Sequence, residues 1–466
     1  MANSDKIILQ DVKIEGVEYF HVMQVEINHT ANEYARARIN LSVDEKKGKK
    51  FLEQANADKI KISAGKKILF QGYISGISFE KRPDYNLLVI DLFDAAYLLD
   101  WKLESQTFQK LTAKYEEIFK TIKDAKIQLK VTDKAIEKII FRLNETSWQF
   151  VKRLASHFSA MIFTDLTAEK PLLTIGLPEP KKSVEVFTMQ AGYYFDDKRF
   201  QFLNSNAEKL AKGVKIVAED FHTIQLENFF ELLNVGDEIK FDKKSYRVRS
   251  LHANFTDSIL RVRYELVGKS AFVVPVEVQK NIAGRIFRAQ VKKVDKDKIQ
   301  AHFVDIDKSF DSGATAWYPF ATVYSSADGS GWYVMPEVDD YVRILFPSED
   351  TAQAFASSSI NTAPLKEPKN KSLKAPGGRE ILLTDKGVEI IAEHQKTFIL
   401  IDKDKGISLV SAKDIEILAD GNISFEAKGK IQVVSGKEIT EQSGQSHMKI
   451  LSNQIAMGGS NIIVGE

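Results

Sequence analysis

The chain has 466 residues, enough for about three domains, and is 44% apolar and 28% charged, the mix of a globular protein with buried cores. Its 65 basic and 64 acidic residues leave a net charge of +1, so no overall excess points to nucleic acid or an anionic membrane. It contains no cysteine, which excludes disulfides, thiolate metal sites and cysteine nucleophiles.

The opening stretch MANSDKIILQ lacks the apolar core of a signal peptide, and no apolar run approaches membrane-spanning length. The expectation is synthesis in the cytoplasm and, for any protein that leaves, a route without a cleaved signal. Residues 1–104 read mainly as strands, at Lys6–Ile14, Tyr19–Asn28, Ala35–Leu41, Lys59–Ala64, Lys67–Phe79 and Asn86–Asp94, punctuated by glycines. This predicts a small barrel or sandwich.

Residues 105–170 change pattern. Leu111, Tyr115, Ile118, Phe119 and Ile122 have helical spacing within Phe108–Asp124. A second helix is predicted over Glu145–Phe158, opened by Glu145 or Thr146, with Trp148, Val151, Leu154 and Phe158 on one face. Strands return at Met161–Asp165 and Leu172–Ile175. Residues 171–275 hold a second β unit, with strands at Thr223–Leu226, Glu238–Phe241, Lys244–Ala253 and Ile259–Leu266. Residues 276–361 read as an oligomer-binding-type (OB) barrel, with strands at Ile282–Val294, Ile299–Phe303, Ala316–Pro319, Gly331–Met335, Tyr341–Phe346 and Ala352–Ser357. Residues 362–377, rich in proline and lysine, read as a linker.

Residues 378–466 form the last region, and from Gly406 it can be written in blocks of eight. The second place of each block holds Ile407, Ile415, Ile423, Ile431, Ile439, His447, Ile455 and Ile463. The fourth holds Leu409, Ile417, Phe425 and Val433, then Glu441, Lys449 and Met457. In a strand these two places face the same way, and Gly421, Gly429, Gly436 and Gly444 close blocks as turns would. A fixed period marks a stacked architecture. Eight residues supply one strand and one corner, too few to circle a single-chain β-helix. The inferred solution is a three-sided prism of three identical chains, a triple-stranded β-helix with the isoleucines inward. The competing reading is a run of ordinary hairpins.

Several segments resemble the VgrG and phage late-control D family of hub-spike proteins. Phe141–Phe158 carries Glu145, Trp148, Phe150, Arg153 and Leu154 in the order of that family's helical motif, and Ser105–Ile122 resembles its Phe-Gln…Thr…Ile segment. AGRI at Ala283–Ile286 and Gly329–Phe346 resemble its barrel, the latter through Gly-x-x-x-x-Pro-Glu-x-Gly-Asp-x-Val, with Asp339 where the family usually has glycine. The resemblance implies a homotrimeric hub of two β-barrels with a helical insert, then an OB-fold and a needle, at the baseplate of a contractile injection machine such as a phage tail, bacteriocin particle or type VI secretion system. It further implies tail-tube and baseplate proteins as partners at the hub end, where a six-fold tube meets the three-fold needle. A PAAR-type tip protein is expected at the other end, and a target cell envelope as the thing punctured.

No residue is assigned a catalytic, cofactor or metal role. Three copies of His447 on a three-fold axis could hold a metal or anion, against an outward-turned or water-bridged histidine. Asp402–Gly406 has a faint calcium-loop look, against a solvated turn. Trp148, Trp317 and Trp332 could stack on sugars, against core packing. Asp420 and Glu426 are near neighbours in the repeat, against a solvated outer face. The other functional classes are a trimeric carbohydrate-binding adhesin and a β-helical polysaccharide-degrading enzyme.

Overall fold

In a computed structural model of the protein, residues 6–54, 59–186, 190–361 and 367–463 are described. The first five residues of the N-terminal stretch, residues 362–366 of the expected linker and the last three residues of the repeat lie outside them. The chain divides into two compact units, Met1–Thr362 and Ala363–Glu466.

The first unit is built on a twelve-stranded sheet. Its strands form because apolar residues recur at every second place. In Arg36–Val43, Ala37, Ile39, Leu41 and Val43 are buried while Arg36 and Arg38 face solvent. The two β regions expected as separate barrels are joined within this sheet. His21–Thr30 pairs antiparallel with Lys244–Thr256, Thr30 opposite Ser250 and Glu26 opposite Asn254. One hydrophobic cluster spans both, from Ile39 and Phe70 to Leu251 and Tyr264.

Between the two regions lies the insert, with its own cluster around Tyr115, Phe119, Trp148, Phe150 and Leu154. Its main helix is Ser147–Ser156. Thr146 caps it, its hydroxyl accepting from the Gln149 amide at 3.2 Å while the Gln149 side chain accepts from the Thr146 amide at 3.2 Å. The helix expected over Phe108–Asp124 is shorter, Tyr115–Phe119. Upstream, Glu104–Phe108 is a strand paired with Ile140–Glu145. The Gln109 carbonyl is taken by the amides of Thr315 and Ala316, so the backbone there serves another domain instead of a helix turn.

The OB domain has five strands in the order Tyr318–Pro319, Lys298–His302, Arg285–Asp295, Tyr341–Phe346, Phe355–Ile360. A bridge between Phe320 and Ala356 brings its two ends together. The strand expected at Gly331–Met335 is not formed; that segment is one arm of a loop. The last strand starts later than expected, because the Asp350 carboxylate accepts from the Ala352 amide and opens a 3-10 turn over Thr351–Gln353. Asp339 has φ 73°, the left-handed conformation that favours glycine, and its carboxylate is 3.0 Å from Lys292 Nζ. The turn is thus kept with aspartate, one of the few side chains that tolerate it.

In the second unit, five short strands form an antiparallel sheet in sequence order: Lys371–Lys374, Glu380–Leu383, Gly387–Glu393, Thr397–Asp402 and Gly406–Val410. Lys371–Lys374, read as linker from its composition, is an edge strand here. Residues 411–437 carry no strand pairing. A three-stranded meander follows, Glu438–Ser443, Ser446–Leu451 and Ile455–Gly458. The expected octad strands at both ends of the repeat therefore take antiparallel hairpin form within the single chain. The stretch between them has no partner strand in it.

Candidate assembly surfaces

The motif residues of the insert form a buried clamp. Arg153 donates from Nε and Nη2 to the two Glu145 oxygens, each at 2.7 Å, and from Nη2 to the Phe141 carbonyl at 2.6 Å. The two side chains are only 8% and 13% exposed. A two-pronged charged pair of this kind is strong and directional. Arg142 reaches Glu104 at 2.6 Å, and both arginines lie over the Phe150 ring at 5.4 Å. Trp148 is buried and meets Tyr34 of the first β region at 5.3 Å. The clamp fixes the insert, and Arg153 and Phe141 also line a cavity beside Tyr115 and His157.

The same segment docks the OB domain. Strand alternation sends Ile140 into the insert core and Phe141 into the OB core, where its ring is 5.0 Å from Phe346 and 5.2 Å from Phe303. Gln109, only 4% exposed, donates to the Ala301 carbonyl at 3.2 Å and accepts from the Tyr318 hydroxyl at 3.0 Å. Thr107 binds Asp307 through its amide at 2.7 Å and its hydroxyl at 2.5 Å. Burial raises the Asp307 carboxyl above its usual range, and the two Thr107 bonds hold it back. The Phe-Gln pair noted in the sequence is thus part of a joint between insert and OB domain.

A buried polar cluster ties the first β region to the insert. Thr164 Oγ1 donates to Asp94 Oδ2 at 2.5 Å and lies 3.1 Å from His29 Nε2. Asp94 also accepts from the amides of Ala35 and Ala96 at 2.8 and 2.9 Å. Burial pushes Asp94 up to about 6 against these bonds, and pushes His29 down to about 4. His157 is also held near 4, first by burial and then by Arg153; its ring nitrogens meet Tyr115 OH at 2.7 Å and the Glu277 carbonyl at 3.0 Å. Composition gave no signal for these groups, because only the fold brings them together.

In the second unit, cross-strand register places Leu373, Ile381, Leu383, Val388, Ile390, Ile399, Ile401, Ile407 and Leu409 on one face of the five-stranded sheet. Ile381, Leu383, Ile390, Ile401, Ile407 and Leu409 are exposed in the single chain, up to 76% at Ile407. Across 411–437, Ile415, Ile417, Ile423, Phe425, Ile431 and Val433 are exposed too. In the last meander the apolar face is Ile439, Met448, Ile450, Ile455 and Met457, with Glu441 on it. His447 pairs with Gln442 on the other face and lies against Gly458. The octad phase thus slips by one place in this block, and of the two readings of His447 the register within this chain is that of the outward-turned one.

The remaining candidates also find places. Asp402 Oδ1 accepts from the Asp404 and Lys405 amides at 2.8 and 2.9 Å, which lower its carboxyl and make Asp402–Gly406 a hairpin turn. Asp420 and Glu426 are exposed in the unpaired stretch. Trp148 is a core residue, whereas Trp317 and Trp332 are exposed, so the expectation of core packing is corrected for these two. Among the described residues no group of three or more histidine or carboxylate side chains is placed to hold a metal ion.

The first unit is thus a joined pair of β regions with an insert on which a five-stranded OB domain docks. Residues 287–360 match the family described as the type VI secretion system/phage-baseplate injector OB domain. No curated protein matches the chain by sequence. Among solved structures it is similar to the Escherichia coli c3393 protein, described as a type VI secretion component with structural similarity to the T4 bacteriophage tail proteins gp27 and gp5. That likeness has a TM-score of 0.53 and 14% identity, over 75% of this chain and 99% of that one. It is also similar to a chain of the Francisella PdpA-VgrG complex in its lidded form, with a TM-score of 0.51 and 11% identity, over 85% of this chain and 79% of that one. The chain is VgrG-like in fold, as its motifs suggested.

Proposed function

We propose that this chain is the hub and spike of a contractile injection baseplate, working as a homotrimer and mechanically rather than as an enzyme. The observation that carries this is the aliphatic face of the second unit. A single sheet with one apolar face uncovered, followed by 27 residues (411–437) without strand pairing, is incomplete as a lone chain. Three copies would cover each other's faces and supply the missing strands, leaving few open edges. The first unit, with closed cores, would form the ring that adapts a six-fold tube to a three-fold needle. Tail-tube and baseplate proteins would meet it there, and a PAAR-type tip protein would cap the needle that enters the target envelope. The protein would then be a component of the particle, whether virion, bacteriocin or secretion assembly. The likenesses are to structural proteins of tails and secretion systems, which supports a part without chemistry of its own.

The test is the native mass of the full chain and of a truncation ending before Ala375. We expect three chains for the first, resisting detergent, and a weaker or absent trimer for the second. A stable full-length monomer would overturn the reading.

A further inference from the structure

The OB domain carries an apolar loop that its own core does not use. Residues 321–334 run out and back as a hairpin. The Thr322 hydroxyl donates to the Trp332 carbonyl at 2.6 Å, the Trp332 amide to the Tyr324 carbonyl at 2.9 Å, and the Ser326 amide to the Ser330 carbonyl at 2.8 Å. Asp328 closes the tip, accepting from the Ser330 amide and hydroxyl at 2.9 and 2.7 Å. Gly331 has φ 144°, and a Cβ there would lie 2.4 Å from the Tyr324 carbonyl oxygen, so the two arms approach as closely as they do only with glycine. The loop is therefore built into one shape.

What it displays is unusual for a surface. Val323 is 90% exposed, Tyr333 74% and Trp332 58%, with Tyr324 and Val334 also more than half exposed. Adjacent residues point to opposite sides of an arm, so both sides of the hairpin are apolar. Together the five side chains expose on the order of 600 Å². That is the upper end for patches on monomers, and most of the roughly 800 Å² that each partner buries in a standard interface. Asp328, at the tip, is its one charged residue. Aromatic enrichment with few charges is the composition of an interface centre. The Tyr333 hydroxyl donates to the Lys296 carbonyl of its own barrel at 2.9 Å, which ties down one arm; the apolar surface left exposed on both sides of the ribbon is what a partner would cover.

We propose that this hairpin inserts into a second copy of the chain, making a contact between OB domains separate from the needle. The proposal rests on the homotrimer reading given above and locates a second lock within it. A second copy is the occupant because a shape fixed by glycine and backbone bonds, with the area of a permanent contact, suits a partner present from assembly onward. Such a joint would keep three OB domains in register while force passes from hub to needle.

The natural absence of cysteine makes the test direct. Val323→Cys in the full chain would be labelled with a maleimide in the native state and in urea, and benzoylphenylalanine placed at Tyr333 would be photoactivated in the native state. Native mass would be measured for both variants. We expect a multiple-chain mass, labelling slowed more than about ten-fold relative to urea, and a covalent dimer of two copies on a denaturing gel. A multiple-chain mass with unprotected labelling, or without the covalent dimer, overturns the hairpin contact and leaves the trimer reading standing. A single-chain mass overturns both.

Discussion

The two units use the same strand chemistry and reach opposite results. In the first, Ile39, Leu41, Phe70 and Tyr264 point into a core that the chain closes by itself. In the second, Ile381, Ile390, Ile401 and Leu409 point to solvent in the single chain. The difference lies in which strands pair. His21–Thr30 finds Lys244–Thr256 some two hundred residues away, and distant pairing folds a sheet over its own apolar face. The short strands of Lys371–Val410 pair only with their sequence neighbours, four to six residues at a time. Such a meander makes one layer, and a domain needs at least two. Alternation therefore says that a face is apolar, while long-range pairing decides whether the same chain can cover it.

The largest test of this contrast is a charge on each kind of face. Ile399→Glu would put three carboxylates into the centre of a trimer, each burial costing several kcal/mol. We expect loss of the trimer by native mass spectrometry, with the near-ultraviolet circular dichroism of the first unit kept. A trimer that survives would break the comparison, because the second unit's face would then be a true exterior. Next in size is Arg153→Met, which leaves Glu145 buried without its partner. Breaking such a pair costs about 3–5 kcal/mol. We expect a lower unfolding temperature for the first unit and an unchanged chain number, since the clamp acts within one chain.

Much of this contrast was legible in the sequence. The octads set out which places are apolar, although the strands at both ends of the repeat take the antiparallel form of the competing hairpin reading, and the helix at Ser147–Ser156 was marked by Thr146 and by the spacing of Trp148, Val151 and Leu154. The failures have physical causes. Phe108–Asp124 has helical spacing, yet Phe108 ends a strand and Gln109 gives its backbone and side chain to the OB domain. Spacing cannot show that a neighbouring domain will claim those groups. The two β regions read as two barrels because nothing local in His21–Thr30 reveals its distant partner. The exposure of Trp332 was missed because a tryptophan in an apolar run looks like core until the glycine beside it is seen to turn the chain outward.

A third measurement concerns the closed unit alone. Asp94 is raised, so it adds stability at low pH, fully below its ordinary 3.8, and loses that contribution as pH rises through about 6. His29 and His157 are depressed, so their contributions are full above their ordinary 6.5 and are lost as pH falls through about 4. Between about pH 6 and 4, Asp94 therefore offsets one of the two histidines. Asp94→Asn removes the offset, and we expect its stability to fall with acid more steeply than the wild type by about 1.4 kcal/mol per pH unit. Unfolding temperatures from pH 6.5 to 4 would show it; parallel curves would mean that the cluster does not titrate as its burial implies.

The smallest effect sharpens the open unit at the place where the period slips. Were the octad phase kept through Ser446–Leu451, His447 and Lys449 would face the apolar side and Met448 and Ile450 the other. The register of Gln442 with His447 and Glu441 with Met448 puts them the other way round. His447 then lies on the side of Lys449 and Gly458, where an alanine replaces an exposed ring and leaves no apolar cavity. We expect His447→Ala to change the free energy of dissociation measured in denaturant by less than about 0.5 kcal/mol, and Met448→Ala by more, because large-to-small changes at buried positions cost about 2–5 kcal/mol. The reverse order would restore the unbroken phase and bring three imidazoles back to the axis. Equal, negligible effects would mean that this end of the repeat stays open in the trimer, so that the covered face stops before Glu438.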